Sequence, residues 1–232
     1  MKHTFSDAKY NLVTLSSVCA VVLIGFTVRT YAQASIKERY AEKVKHEFLF
    51  AWNNYKKYAW GHDELKPLSK SYYDWYGKGE SLLMTPVDAY DTMVLMGLKK
   101  EAREEEQLID DSLSFDKDIS VSNFEITIRM LGGLLSGYEL NHDKRFLELA
   151  TDLANRLLPV YNTATGMPYR FVNLKTGKVS GVVSNPAEIG SETLELGTLS
   201  KLTSHICLNS LSPKSFHALS RYSRYESIPP LM

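Results

Sequence analysis

The chain has 232 residues, 44% of them apolar, with Lys plus Arg and Asp plus Glu equal at 27 each. That is enough apolar material for one buried core. The balanced charge excludes the basic surplus that nucleic acid calls for, and nothing in the composition points to disorder.

Lys2 and Lys9 precede an uncharged apolar run over 12–28 that ends at Arg29, the layout of a secretory leader. The run is long for a signal-peptide core and slightly short for a spanning helix, and Ala32-Gln33-Ala34 supplies a cleavage site directly after it. Residues 1–34 therefore read as a cleaved signal peptide in preference to a signal anchor, with membrane anchoring through 12–28 as the alternative. Either one sends the chain to a periplasm, an exterior or a secretory lumen. Of the two cysteines, Cys19 lies in the leader and Cys207 near the C-terminus, so the mature chain has no internal disulfide and must be stabilised by packing.

From Ile36 to Tyr58 the apolar residues Tyr40, Val44, Phe48, Ala51, Trp52 and Tyr55 recur at helical steps, which predicts an amphipathic helix. A loop rich in Gly, Pro, Ser and Asp follows. Three strong helix starts come next. Thr85-Pro86-Val87-Asp88 sets a cap, a proline and an acid in order; Ser122-Asn123-Phe124-Glu125 has the form of a capping box; Asn185-Pro186-Ala187-Glu188 repeats the first pattern. Helices of surface character are expected over Lys99 to Asp110 and Asp143 to Leu158, and a short hairpin over Met167 to Val182, turning at Lys175-Thr176-Gly177-Lys178. The fold class is all-α with a small β-hairpin insertion.

If consecutive helices are antiparallel neighbours, every second one points the same way, and Asp88, Glu125 and Glu188 gather at one end of the assembly. Each acid has an ordinary use, since a carboxylate in a first turn stabilises the helix by about 0.3–1 kcal/mol. Glu125 and Arg129 are also placed for an i,i+4 ion pair. Phe124 and Tyr138 could stack on a flat ligand, with core packing the commoner use.

The strings TPVDAYDTMVLMGL (from Thr85) and NFEITIRMLGGLLSGY (from Asn123) resemble signature segments of glycoside hydrolase family 47. AWGHDEL before them and NPAEIGSETLELGTLSKLT after them resemble the same family in the same order, so the likeness covers roughly Tyr40 to Thr203. The resemblance implies a partial (α/α)7 barrel and an inverting, calcium-dependent α-1,2-mannosidase acting on high-mannose oligosaccharides or glycoproteins. Glu125 matches the proton donor, Arg129 a residue that contacts the sugar, and Asp88 and Glu188 acids that line the cavity. Asp91 is matched less specifically, and supporting the helix start is its other reading. The family's remaining catalytic acids and its calcium-binding threonine belong to later motifs that are not found here. The domains are accordingly 1–34 leader, 35–203 N-terminal part of the glycosidase domain, and 204–232 a tail outside it. A non-catalytic glycan-binding relative is the alternative.

Overall fold

A computed structural model describes residues 35–164, 166–183 and 185–203. The expected leader, its membrane-anchoring run and the tail lie outside the described residues. No helix among the described residues is long and apolar enough to cross a membrane. The described residues fall into two compact units divided between Asn53 and Asn54.

The first helix, α1, covers 35–58 as its periodicity predicts. Not all of its apolar stripe is covered: Tyr40 and Val44 are exposed, whereas Trp52 and Tyr55 are buried. Phe48 stacks on Trp52 within the first unit.

The second unit is helix-rich. Strands β1 (Glu64–Lys66) and β2 (Ser71–Tyr73) precede α2 (Met84–Leu95) and α3 (Lys99–Ser112). After β3 (Ser120–Ser122) a single helical rod runs through α4 (Asn123–Ile126), a π turn (Thr127–Leu131) and α5 (Gly132–Asn141). Then come α6 (Lys144–Leu157), a 3-10 turn (Leu158–Tyr161), β4 (Phe171–Asn173), β5 (Val179–Ser180), α7 (Pro186–Ser191) and α8 (Thr193–Thr203).

The strands add to the all-α expectation. β1 and β2 form an antiparallel ribbon in the stretch expected to be a loop, with Leu65 opposite Tyr72. The predicted hairpin forms as β4 and β5, but β3 joins it by pairing Val121 with Val172, making a three-stranded antiparallel sheet. Strands of two or three residues are too short to show alternation in a sequence.

Helix α6 buries the face its sequence prescribes. On α6 the buried set is Phe146, Leu149, Ala150, Leu153, Ala154 and Leu157, an unbroken i, i+3, i+4 stripe. The side chain of Asp143 caps its start by accepting from the Arg145 amide at 2.9 Å. Two glycines let α5 lie close to its neighbours: a Cβ on Gly133 would come within 2.7 Å of Val87, and one on Gly137 within 2.6 Å of the Phe146 ring.

The start of α2 departs from the expected cap. Thr85 is not the capping residue; the helix begins at Met84, preceded by Leu83 in the left-handed conformation with φ 56 and no cap from its own side chain. The cap comes from Asp63, whose buried carboxylate accepts from the amides of Leu82 (2.7 Å), Met84 (3.2 Å) and Trp75 (3.0 Å) and from the Ser81 hydroxyl (3.1 Å). Its carbonyl takes the Thr85 hydroxyl at 2.6 Å. Asp74 completes the brace, accepting from the Asp63 amide at 3.2 Å and pairing with His62 at 3.0 Å.

Glu105 breaks the apolar stripe of α3. It is fully buried, its carboxylate oxygens have no hydrogen-bond partner among the described residues, and burial raises its pKa from 4.5 to about 10, with Asp91 adding to the rise.

Two outcomes are expected. Asp63→Ala orphans four donors at once and should lower stability by roughly 3 kcal/mol or more, read as a fall in the urea midpoint. Glu105 is a carboxyl with a raised folded pKa, so its contribution is whole below pH 4.5 and is lost as pH climbs through about 10. Glu105→Leu should therefore raise the melting temperature, and by more at pH 8 than at pH 5.

Candidate functional site

The sequence placed its candidate acids behind three caps, and two of those caps form. Ser122 caps α4 by accepting from the Glu125 amide at 3.4 Å, and Asn185 caps α7 by accepting from the Glu188 amide at 2.9 Å. The capping box is half made, because the Glu125 carboxylate turns to Arg129 instead of back to the helix start. Asp88 lies beyond the first turn of α2, so its expected use as a first-turn acid does not hold.

Arg129, on the π turn, joins two of the acids. Its Nε donates to Glu125 Oε2 at 2.9 Å and its Nη1 to Asp88 Oδ2 at 3.0 Å. The i,i+4 pair read from the sequence is thus present, with a second acid added from a different helix. The Trp75 ring lies 5.3 Å from the guanidinium, a cation–π contact, and its indole N–H donates to Glu64 at 3.0 Å. The close approach of Gly133 to Val87 lies beside these contacts: the adjacent Asp88 meets Arg129, and Asp91, one turn further along α2, meets Ser136.

Asp91 is therefore not a helix-start residue. It accepts from Ser136 across on α5 at 2.9 Å and from the adjacent Thr92 hydroxyl at 3.2 Å. Asp88, Asp91, Arg129, Ser136, Glu139 and Glu195 are among the residues lining a cavity of about 550 Å³ between α2, the π turn, α5 and α8. Neither Glu125 nor Glu188 is among its lining residues. Glu188 pairs with Arg170 at 3.4 Å, and the Arg170 carbonyl accepts the amide of Asn123 at the head of α4 at 2.9 Å. The starts of α4 and α7 are so tied through one arginine.

Burial raises the Asp88 pKa; Arg129 opposes the rise, while Asp91 and Glu125 add to it. Like-charge crowding on Asp88 thus comes from Asp91 and Glu125, with no contribution from Glu188, and desolvation comes first. Burial likewise raises Glu195, whose Oε2 has no hydrogen-bond partner among the described residues.

Three participants were not singled out from the sequence: Trp75, Glu195 and Glu192. Glu195 and Glu192 stand inside the last family-like string, yet nothing in the string marks them as buried. Glu192 accepts from Asn123 Nδ2 and from the Tyr161 hydroxyl, each at 2.6 Å. Phe124 and Tyr138, the aromatic candidates, are both half-buried.

No group of three or more His, Cys, Asp or Glu side chains among the described residues could hold a metal ion. In the cavity, Asp88 is engaged by Arg129 and Asp91 by Ser136. These residues do not fit the calcium site that the resemblance implies, and no chemistry is assigned through it.

A family profile described as glycosyl hydrolase family 47 matches residues 47–232. A mannosyl-oligosaccharide 1,2-alpha-mannosidase of Arabidopsis thaliana is 43% identical over 183 residues, which is 76% of this chain and 32% of that protein. An endoplasmic reticulum mannosyl-oligosaccharide 1,2-alpha-mannosidase of Homo sapiens is 46% identical over 165 residues, 67% of this chain and 22% of that protein. The chain thus spans about a quarter to a third of the length of these relatives. Among solved structures, an alpha-1,2-mannosidase from Trichoderma reesei superposes with a TM-score of 0.70 at 32% identity, covering 75% of this chain and 39% of that one.

Replacing Arg129 by Met removes the one opposing influence on Asp88 and leaves burial unchecked. The Asp88 carboxyl resonance, followed by NMR, should then titrate at a higher pH than in the parent chain.

Proposed function

We propose that this chain, which belongs to glycosyl hydrolase family 47, carries the proton-donating half of an inverting α-1,2-mannosidase acting on high-mannose N-glycans. The observation that carries this reading is Arg129 held between Asp88 and Glu125 at the edge of a cavity walled by further acids. Glu125 is the general acid that protonates the leaving glycosidic oxygen. Arg129 holds it through a single oxygen, which fixes the carboxyl in place.

Carboxylates and a guanidinium suit a sugar. Asp88, Asp91, Glu188 and Glu195 accept from hydroxyl groups, and the arginine fork donates to ring and hydroxyl oxygens. Entry of a mannose would exchange some of the ion pairs seen here for hydrogen bonds to its hydroxyls. Trp75, already lying against Arg129, limits how far the guanidinium can swing during that exchange.

Inversion needs a second carboxylate, roughly 6.5–9.5 Å from the first, to activate water on the opposite face of the sugar. In this reading the later part of the family's domain supplies it. The helix pairs described here are then one arc of an (α/α)7 barrel, and the helices beyond complete the ring. A secretory lumen, where high-mannose glycans are trimmed, suits the leader read from 1–34, whether it is cleaved or kept as an anchor.

The test is release of mannose from a high-mannose glycan in the presence of calcium. The chain as given should release none. A version extended through the family's remaining motifs should be active, and Glu125→Gln in it should reduce turnover by about a hundred- to ten-thousand-fold. An unimpaired Glu125→Gln enzyme would remove Glu125 from the role assigned to it. Glycan binding without turnover by the extended version would instead favour the non-catalytic relative.

A further inference from the structure

We infer that Glu192 is a positioning residue that locks the head of α4, and with it Glu125, to the junction of α7 and α8, and with it Glu188.

Glu192 is the residue between α7 and α8, and its carbonyl accepts the Leu196 amide of α8 at 3.3 Å. Its carboxylate bonds to two other segments of the chain. Oε1 takes the side-chain amide of Asn123, the first residue of α4, at 2.6 Å, and Oε2 takes the hydroxyl of Tyr161 from the 3-10 turn, also at 2.6 Å. All three residues are buried: Glu192 is 3% exposed, Asn123 1% and Tyr161 8%.

Two short bonds on one carboxylate fix its position in two directions. Asn123 is held from a second side, because its backbone amide donates to Arg170 and the Arg170 guanidinium pairs with Glu188. Glu125 lies two residues beyond Asn123. The position of that first turn relative to Glu188 is therefore set by two routes, one through Arg170 and one through Glu192.

A leucine at 192 could fill the same volume without burying a charge, since the elements around it bury Ile189, Leu196 and Leu199. The polar version restricts α4 to one placement, which apolar packing alone specifies less sharply.

The groups facing Glu192 are Tyr161 on the 3-10 turn, Asn123 on α4, Glu195 on α8 and Glu188 on α7. Burial raises its pKa to about 7, the two donors oppose the rise, and the two glutamates add to it. The lock is consequently between its charged and neutral forms at neutral pH.

The experiment is an NMR titration of the full chain from pH 5 to pH 9 with no sugar present, which separates this inference from the glycosidase reading. In the parent chain, the Asn123 side-chain amide and the Glu125 backbone amide should shift together with a midpoint near 7. The amides of the β1–β2 ribbon should not share that midpoint. In Glu192→Gln, which keeps an acceptor for Asn123 and has lost the ionisable group, the common midpoint should vanish while the fold persists. Tyr161→Phe, which removes one donor to the charged form, should move the midpoint upward. A Glu125 amide that ignores both pH and the Glu192→Gln change, or an Asn123 titration that survives it, would overturn the assignment.

Discussion

The placement of α2, and of the acids it carries, hangs on the Asp63 carboxylate. A buried carboxylate must find donors or become costly, and this one finds them in two places at once: at the Trp75 amide beyond the β1–β2 ribbon and at the start of α2. One side chain thereby fixes the entry angle of the helix that carries Asp88 and Asp91, and the position of the indole that lies on Arg129. The left-handed Leu83 is the local cost of this geometry, a conformation that a bulky residue rarely adopts and that the surrounding bonds hold in place.

The second constraint is steric. Gly133 in the LGGLL string lets α5 meet α2 at Val87, and Gly137 lets it meet Phe146 of α6. This close approach brings flanking side chains of the two helices within reach of one another. Asp88 with Arg129, and Asp91 with Ser136, are the polar contacts that result. A specific ion pair and a hydrogen bond thus accompany the absence of a side chain at a neighbouring position.

What could be read in advance follows the range of the interaction. Helices α3 and α6, the caps at Ser122 and Asn185 and the Glu125–Arg129 pair are local, each decided within a few residues, and each is where the sequence indicates. Family likeness identified the strings that carry the acids. The misread start of α2 depends on a residue some twenty positions earlier, and Asp63 sits in a stretch whose Gly, Pro and Ser content marks a loop. The same holds for β3, whose partner strand follows about fifty residues later, and for Glu192, whose donors come from two other segments. Glu105 shows a different gap. Its sequence neighbourhood, Glu104-Glu105-Glu106, reads as a solvated acidic face, and only packing shows that the middle glutamate points inward.

The π turn of Thr127–Leu131 has a further consequence for how this region can change over time. It holds one residue more than the α-helical turn it replaces, inside a rod that is otherwise regular from Asn123 to Asn141. Losing one residue there would make the rod uniform, but would rotate everything upstream by about 100° against everything downstream. Ser122 and Glu125 would leave their partners while α5 kept its face on α2 and α6. The rod therefore behaves like two gears keyed to one shaft with a fixed offset. Side chains along it can be exchanged one at a time, whereas its length can change only in steps that restore the phase.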